Sequence, residues 1–225
     1  MKAIKIGSDD FTNISMIKKF SETKLPIIVS CGMSDMDEIK TTISEINNKK
    51  AYPLILMFTT SQYPVPDEDV NMLKLKTIRD EFRDIILGYS DHTQGSIAST
   101  LAITLGAKVF EKHFTIDKNL PGPDHWFSAL PDELKEWNKS IKRSWIMLGN
   151  NEVKPTINEL KNTKSFRRKL VALKNIEKGD KFSEDIVGMR RTKNESLFLD
   201  IEKVIGRLSS RRIDYGEIID AGCIE

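Results

Sequence analysis

The chain has little cysteine, no long hydrophobic run and almost no net charge. Its two cysteines, Cys31 and Cys223, give no disulfide framework and suit a reducing compartment. The longest apolar runs, such as Pro53–Phe58, have the length of a β-strand and are too short to span a bilayer. The N-terminal residues lack the apolar stretch and cleavage site of a signal peptide. These features predict a cytoplasmic protein with no membrane partner.

The charge balance argues against nucleic-acid binding. The 35 basic and 33 acidic residues leave a formal net charge of +2, which is no electrostatic signature for nucleic acid. Arginines cluster at 167–168, 190–191 and 211–212, but few aromatic residues lie between them to stack on bases. The clusters therefore favour solvated faces, or one arginine that reaches a nearby anion site, over RNA binding.

The first 150 residues alternate apolar strand candidates with amphipathic helices, which predicts an α/β fold. The candidate strands are short and lack strict two-residue alternation, as expected for parallel strands covered on both faces. They are Ala3–Ile6, Pro26–Val29, Leu54–Phe58, Ile85–Gly88 and Lys108–Glu111. Helices are predicted from a capping-box-like start at Ser34–Asp37, over Gln94–Leu105 and over Asp132–Leu148. The spacing is that of repeated βα units.

The pattern changes after residue 150. The polar, turn-rich stretch that follows predicts a linker over 151–165. Short strand candidates at Lys169–Ala172, Ile186–Met189 and Ile218–Ile219, with Gly-containing turns between them, predict a small β-rich domain over 166–225. A module of this size is marginally stable alone, so we expect it to pack against another part of the protein.

All three histidines lie between residues 92 and 125. His92 and His113 follow successive predicted strands, where two imidazoles could share a divalent metal, with Asp10 or Glu111 supplying an oxygen ligand. Alternatively, the histidines only make structural hydrogen bonds. The spacing alone favours this second interpretation.

Other polar residues also follow the predicted strand ends. Lys5 and Lys112 flank them, and hydroxyls recur there at Ser8, Ser30, Ser61 and Ser90. Lysine with hydroxyls and loop amides can hold a phosphate or carboxylate, although a single serine is more often a cap or turn residue. The Leu120–His125 turn brings Asp124 and His125 together, either as an active-site loop or as a plain surface loop.

Six phrases occur together and in order along the chain. They are Lys5–Ser8 (KIGS), Ile28–Met33 (IVSCGM), Thr60–Asn71 (TSQYPVPDEDVN), Gly88–Thr93 (GYSDHT), Glu111–Thr115 (EKHFT) and Asp117–His125 (DKNLPGPDH). With them the chain closely resembles the sialic acid synthase family, which comprises N-acetylneuraminate synthase and its legionaminate and pseudaminate relatives. Residues 166–225 resemble the family's C-terminal antifreeze-like (SAF) domain, a β-clip fold.

The resemblance implies a (β/α)8 barrel, of which residues 1–150 would be the C-terminal five βα units, followed by the SAF domain. The implied reaction condenses phosphoenolpyruvate with an N-acylated amino sugar, such as N-acetylmannosamine, to give a nonulosonic acid and phosphate. The implied catalytic residues are Asp10, His92 and His113, and the two histidines would bind Mn²⁺ or Mg²⁺. By resemblance, phosphoenolpyruvate would contact Lys5, Ser8, Ser30, Ser61 and Ser90, and the sugar would contact Tyr63, Asp124 and Arg191.

The resemblance also implies partners. The SAF domain would cover the active site of the other subunit in a domain-swapped homodimer. Family members are longer, and this chain starts at what resembles their fourth barrel strand, so we expect it to need an N-terminal half supplied in trans. The alternative is an inactive fragment or pseudo-enzyme that acts as an interaction or dimerisation module.

Overall fold

The computed structural model describes residues 2–47, 52–192 and 199–225 of the chain. They form two compact units, Met1–Asn150 and Asn151–Glu225. In the part of the chain that is described, no helix combines the length and apolar character needed to cross a membrane.

The first unit contains a parallel sheet whose five strands follow chain order. The strands are β1 (Ile4–Ile6), β2 (Ile27–Ser30), β3 (Leu54–Phe58), β4 (Ile86–Asp91) and β5 (Val109–Lys112). Each pairs in parallel with the next, from Ile4 opposite Ile27 to Asp91 opposite Lys112. Parallel neighbours in chain order are what consecutive βα units produce. The predicted α/β class is confirmed.

Burial explains why these segments form strands. Ile27, Val29 and Leu56 are completely buried, and Leu54 and Leu87 nearly so. These side chains lie on one face of the sheet, where branched apolar residues fit a covered strand surface. Ile28 and Ile55, on the other face, are half-buried. Because all five strands are parallel, their carboxyl ends meet at one edge.

Six helices of the first unit connect or flank the strands within the described residues. They are α1 (Ile14–Ser21), α2 (Met36–Ile46), α3 (Asp67–Val70), α4 (Leu73–Glu81), α5 (Ile97–Thr104) and α6 (Pro131–Leu148). Helix α2 starts at the predicted place, where the Asp35 carboxylate accepts from the Glu38 amide and Glu38 bonds back to the Asp35 amide. This capping box satisfies two amide groups that would otherwise lack partners at the helix start.

The second unit contains a two-stranded antiparallel sheet. Strand β6 (Lys169–Ala172) pairs with β7 (Val187–Arg190), and Ile218 forms an isolated bridge to Val171. A helix, α7 (Ile157–Phe166), occupies much of the stretch predicted as a linker. Its capping box at Thr156 and Glu159 explains the helix, which the polar composition had concealed.

Candidate active site

A cavity of about 430 Å³ lies at the carboxyl-terminal edge of the parallel sheet. Every strand contributes to it, through its last residues or the loop that follows. The lining consists of Lys5, Gly7, Ser8, Asp9, Ser30, Met33, Thr59, Ser61, Tyr63, Ser90, His92, Glu111 and His113. In proteins built from βα units this edge is where ligands bind.

The structure brings together eight of the predicted site residues in this cavity: Lys5, Ser8, Ser30, Ser61, Tyr63, Ser90, His92 and His113. Asp124 lies at its margin, with Oδ2 3.8 Å from His113 Nδ1. Arg191 belongs to the second unit, where its guanidinium lies 5.7 Å from the centre of the Phe166 ring.

The turn after β1 carries two acidic residues, Asp9 and the predicted Asp10. Asp9 lines the cavity, whereas Asp10 is outside the lining. Ser8–Asp10 form a turn of 3₁₀ helix, in which successive side chains leave the axis about 120° apart. Ser8 and Asp9 reach the cavity, and Asp10 lies next to them in the same turn.

Lys5 supplies the cation of the cavity. Its ammonium group donates to Ser30 Oγ at 2.9 Å and to the Ile6 carbonyl at 3.1 Å, and lies 3.6 Å from Glu111 Oε1. An ammonium group has three N–H donors. These contacts hold the lysine in place and leave it able to bind an anion.

Gly32 lets three polar loops approach one another. Its amide donates to Ser8 Oγ at 3.0 Å. A Cβ at this position would lie 2.3 Å from Ser61 Oγ and 2.7 Å from Ser8 Oγ. Only glycine therefore fits, and the hydroxyls converge because it is there.

The hydrogen bonds of His92 define its tautomer. Nδ1 lies 2.9 Å from the Thr60 carbonyl oxygen, which can only accept, so Nδ1 carries the proton. The neighbouring Thr59 hydroxyl donates to the Ser90 carbonyl. Ser90 Oγ is 3.3 Å from Nε2, but its single proton goes to Glu111 Oε1 at 2.8 Å. The Nε2 lone pair is thus directed into the cavity without a donor.

Burial keeps His92 neutral. Desolvation lowers the pKa of its imidazole below the ordinary value, and the neighbouring His113 lowers it further. A neutral imidazole is the form that binds a metal.

Aromatic rings pack around the two imidazoles. The ring centre of Tyr63 lies 4.4 Å from that of His92 and 5.2 Å from that of His113, and the two imidazole centres are 5.2 Å apart. Phe127 closes the group, 4.9 Å from His113. Burial raises the pKa of Tyr63, and the charges of Asp124, Asp9 and Glu111 add to the effect. Phe127 was not expected from the sequence, because it follows the loop and carries no polar group.

His92 and His113 together fit a divalent ion that takes only two of its ligands from the protein. His92 offers a free Nε2 lone pair, and His113 lies beside it. Throughout the described part of the chain, no group of three or more His, Cys, Asp or Glu side chains is close enough to hold a metal. Two imidazoles leave coordination positions for water or substrate oxygen, as in sites where the ion takes part in chemistry.

The chain is thus an α/β protein whose cavity, at the carboxyl edge of a parallel sheet, is lined by hydroxyls, one lysine and a pair of imidazoles. Comparison with known proteins gives the family. The NeuB family model matches residues 1–153. The chain belongs to this family, which contains the sialic acid synthases, and the resemblance seen in the sequence is confirmed.

The chain is similar to curated synthases over most of its length. It is 36% identical to N,N'-diacetyllegionaminic acid synthase of Legionella pneumophila over 96% of this chain and 62% of that protein. It is also 36% identical to the enzyme of the same name from Campylobacter jejuni, over 97% of this chain and 66% of that protein. The chain thus spans less than two thirds of the length of these relatives.

A solved structure supports the fold. The N-acetylneuraminic acid (sialic acid) synthetase of Leptospira borgpetersenii is 32% identical, with a TM-score of 0.65 over 74% of this chain and 59% of that one.

Proposed function

We propose that this chain takes part in condensing phosphoenolpyruvate with an N-acylated amino sugar, giving a nonulosonic acid and inorganic phosphate. The observation that carries the proposal is the cavity itself. One lysine and three serine hydroxyls, from Ser8, Ser30 and Ser61, line it together with the His92–His113 pair. An anion-binding half and an imidazole half therefore share one cavity, as a reaction between an anionic enol and an aldehyde requires.

Lys5 and the hydroxyls would hold phosphoenolpyruvate. The ammonium group is oriented by Ser30, and the Gly32 amide fixes a second hydroxyl, that of Ser8, on the loop after β1. Charge-assisted hydrogen bonds of this kind are stronger and shorter than neutral ones. Their convergence fixes the enol carbon relative to the second substrate, which is the main rate contribution of such a site.

Tyr63 and the two imidazoles would face the sugar. The Tyr63 ring lies against His92 and is half exposed at the cavity, so its hydroxyl can reach a ligand. The raised pKa keeps this hydroxyl protonated and able to donate. Mn²⁺ or Mg²⁺ held by His92 and His113 would supply Lewis acidity at the aldehyde oxygen.

In this reaction the methylene carbon of phosphoenolpyruvate bonds to the aldehyde carbon, and the aldehyde oxygen takes a proton to become a hydroxyl. A water oxygen adds to the carbon that bears the phosphate, and the first proton that the water loses balances the one gained by the aldehyde oxygen. Cleavage of the C–O bond to phosphate, with transfer of the second water proton to the departing phosphate, leaves the 2-keto acid. The carboxylates that line the cavity, Asp9 and Glu111, would carry protons between these oxygens.

Further parts of the proposal concern the rest of the molecule. We infer that the parallel sheet is part of a (β/α)8 barrel and that the second unit is the SAF domain, with Arg191 reaching the sugar of a partner subunit in a cytoplasmic homodimer. In the described residues β1 and β5 each pair with one strand only. A closed barrel has no edges, so we propose that further strands, like those of an N-terminal barrel half, complete the sheet.

Phosphate release tests the proposal. The chain is mixed with the N-terminal half of a relative, phosphoenolpyruvate, N-acetylmannosamine and Mn²⁺, and phosphate is measured over time. Lys5→Met should reduce turnover by at least about 100-fold, because a preorganised charge at an anionic substrate contributes several kcal/mol. Lys2 is exposed and does not line the cavity. Lys2→Met is therefore the matched control and should retain activity.

The edge strands also favour a second candidate, a non-catalytic interaction module. Absence of phosphate release with several N-acylated sugars would contradict the synthase proposal. If the chain nevertheless bound a full-length synthase and had no Mn²⁺-dependent activity, the interaction module would be the better account.

A further inference from the structure

A buried ion pair lies behind the two histidines, on the opposite face of their strands. Asp91 and Lys112 are paired residues of β4 and β5, with Nζ 3.4 Å from Oδ2 and side chains 0% and 8% exposed. Successive strand residues point to opposite faces. Ser90 and His92 line the cavity, so Asp91 between them faces the helices.

The Asp91 carboxylate is bonded to three elements. Oδ1 accepts from the Thr93 amide at 2.9 Å and from the Thr93 hydroxyl at 2.8 Å. Oδ2 accepts from Ser99 Oγ of α5 at 2.5 Å and from Trp137 Nε1 of α6 at 3.1 Å. Both oxygens are thus satisfied, as a buried charge requires.

Lys112 holds the residue that follows His92. Its ammonium group donates to the Thr93 carbonyl at 2.7 Å and lies 5.8 Å from the centre of the Trp137 ring. The residue after His92 is therefore held by its amide, hydroxyl and carbonyl, while the residue before it is Asp91 itself. His113 follows Lys112 directly, so the same ion pair joins the backbones that carry the two imidazoles.

We propose that Asp91 and Lys112 are positioning residues, which set the separation and orientation of His92 and His113 for the ion. This rests on the proposed function only in that the histidines hold a divalent metal. A buried ion pair is seldom more stabilising than apolar residues of similar size, so stability alone gives little reason for one here. Its place in the sheet gives a geometric reason for the pair, because Asp91 directly precedes His92 and Lys112 directly precedes His113.

Metal affinity tests the proposal without turnover. Mn²⁺ or Co²⁺ binding to the full chain is measured by competition with a chromogenic chelator in wild type, Asp91→Asn, Lys112→Met and the double variant. Each single change should weaken binding by about 10-fold or more, as for other residues that orient metal ligands. The double variant should bind only as weakly as the worse single variant, because both break one pair.

Two controls separate positioning from stability. Asp80→Asn removes the carboxylate of the exposed Lys76–Asp80 pair and should leave affinity unchanged. Ile43→Val lowers stability in a core away from the histidines and should also leave metal affinity unchanged.

Two further variants serve if Asp91→Asn fails to fold. Ser99→Ala and Trp137→Phe each remove one donor to Asp91 while keeping most of the packing, and each should weaken metal binding a few-fold.

The outcomes are distinct. Variants that melt earlier but bind the ion as tightly as wild type would overturn the positioning role and leave the proposed function standing. Failure of the wild-type chain to bind either ion, or equal binding by His92→Ala, would overturn the metal site and the positioning role together.

Discussion

Two hydroxyl protons decide what His92 can do. Thr59 Oγ1 and Ser90 Oγ each lie 3.3 Å from a ring nitrogen of His92, yet each has one proton, and a better acceptor takes it. Thr59 donates to the Ser90 carbonyl and Ser90 donates to Glu111. Nδ1 is left to donate to the Thr60 carbonyl, and Nε2 keeps a free lone pair. Residues outside the ring thus fix the tautomer that the proposed metal site needs.

Adding a single Cβ atom at Gly32 should weaken the binding of phosphoenolpyruvate. Gly32→Ala places a methyl group 2.3 Å from Ser61 Oγ and 2.7 Å from Ser8 Oγ, so both hydroxyls must move apart. We expect phosphoenolpyruvate affinity to fall by about 10-fold or more, because two hydrogen bonds of about 1 kcal/mol each lose their geometry. Isothermal titration of the chain with phosphoenolpyruvate measures the change.

A matched glycine controls this experiment. At Gly222 an added Cβ would meet only the flexible Asp220 carboxylate, at 3.2 Å. Gly222→Ala should therefore bind phosphoenolpyruvate as wild type does. Unchanged binding by Gly32→Ala would mean that the Ser8 and Ser61 hydroxyls are not ligands of the substrate.

The thiol of Cys31 should make stability depend on alkaline pH. Burial raises its pKa to about 12, whereas an unfolded thiol has a pKa of about 8.5. The folded state therefore binds the proton more tightly, and the resulting stability is complete below pH ~8.5 and lost as pH rises toward ~12. In that window the free energy of unfolding should fall by about 1 kcal/mol per pH unit because of this group.

Urea unfolding at several pH values measures the slope. Cys31→Ala has no thiol to ionise, so its free energy of unfolding should fall less steeply with pH than that of wild type. Its stability at neutral pH will be lower. Ser34→Ala changes a residue that lines the same neighbouring cavity as Cys31 and should keep the wild-type slope. Equal slopes for wild type and Cys31→Ala would show that the thiol is accessible to water in the folded chain.

At the scale of elements, strands were easier to predict than the groups at their ends. Leu54–Phe58 forms a strand with the predicted bounds, because an apolar run between polar residues has one way to be buried. That Asp9 lines the cavity could not be predicted, because Ser8–Asp10 form a single 3₁₀ turn, which is too short to show a sequence period. Helix α4 was missed, since its surface is largely charged and its apolar stripe is short.

Replacing the cap residue by alanine should affect stability in one capping box of the chain and not in another. Asp35 caps α2, which buries Ile39, Ile43 and Ile46, whereas Thr156 caps α7, whose described residues are exposed or half-exposed. Asp35→Ala should lower the free energy of unfolding by about 1 kcal/mol, because α2 must unfold with the core. Thr156→Ala should leave the global value unchanged, since α7 can fray on its own.

Urea denaturation followed by tryptophan fluorescence, with circular dichroism alongside, checks both variants. Asp37→Ala, in the first turn of α2 but not its cap, is the control and should lose less than Asp35→Ala. A loss for Thr156→Ala as large as that for Asp35→Ala would show that α7 packs as firmly as α2.

For the whole molecule, the sequence predicted the parallel sheet and the meeting of hydroxyls and histidines at its edge, because both follow from the order of βα units. It did not predict Gly32 or Phe127 as parts of the site. Their roles depend on how separate loops approach one another, and this distance is set by packing rather than by local pattern.

The segment between the two units should be the first point of proteolytic cleavage. Residues 149–156 are exposed and outside any helix or strand, and Glu152 lies among them. A glutamate-specific protease should cut after Glu152 first, because cleavage within a helix requires local unfolding and cleavage here does not. Mass spectrometry of early time points should show fragments 1–152 and 153–225, and Glu152→Gln should abolish them. Earlier cleavage after Glu45 or Glu81, which end helices of the first unit, would mean that the first unit opens more readily than the connecting segment.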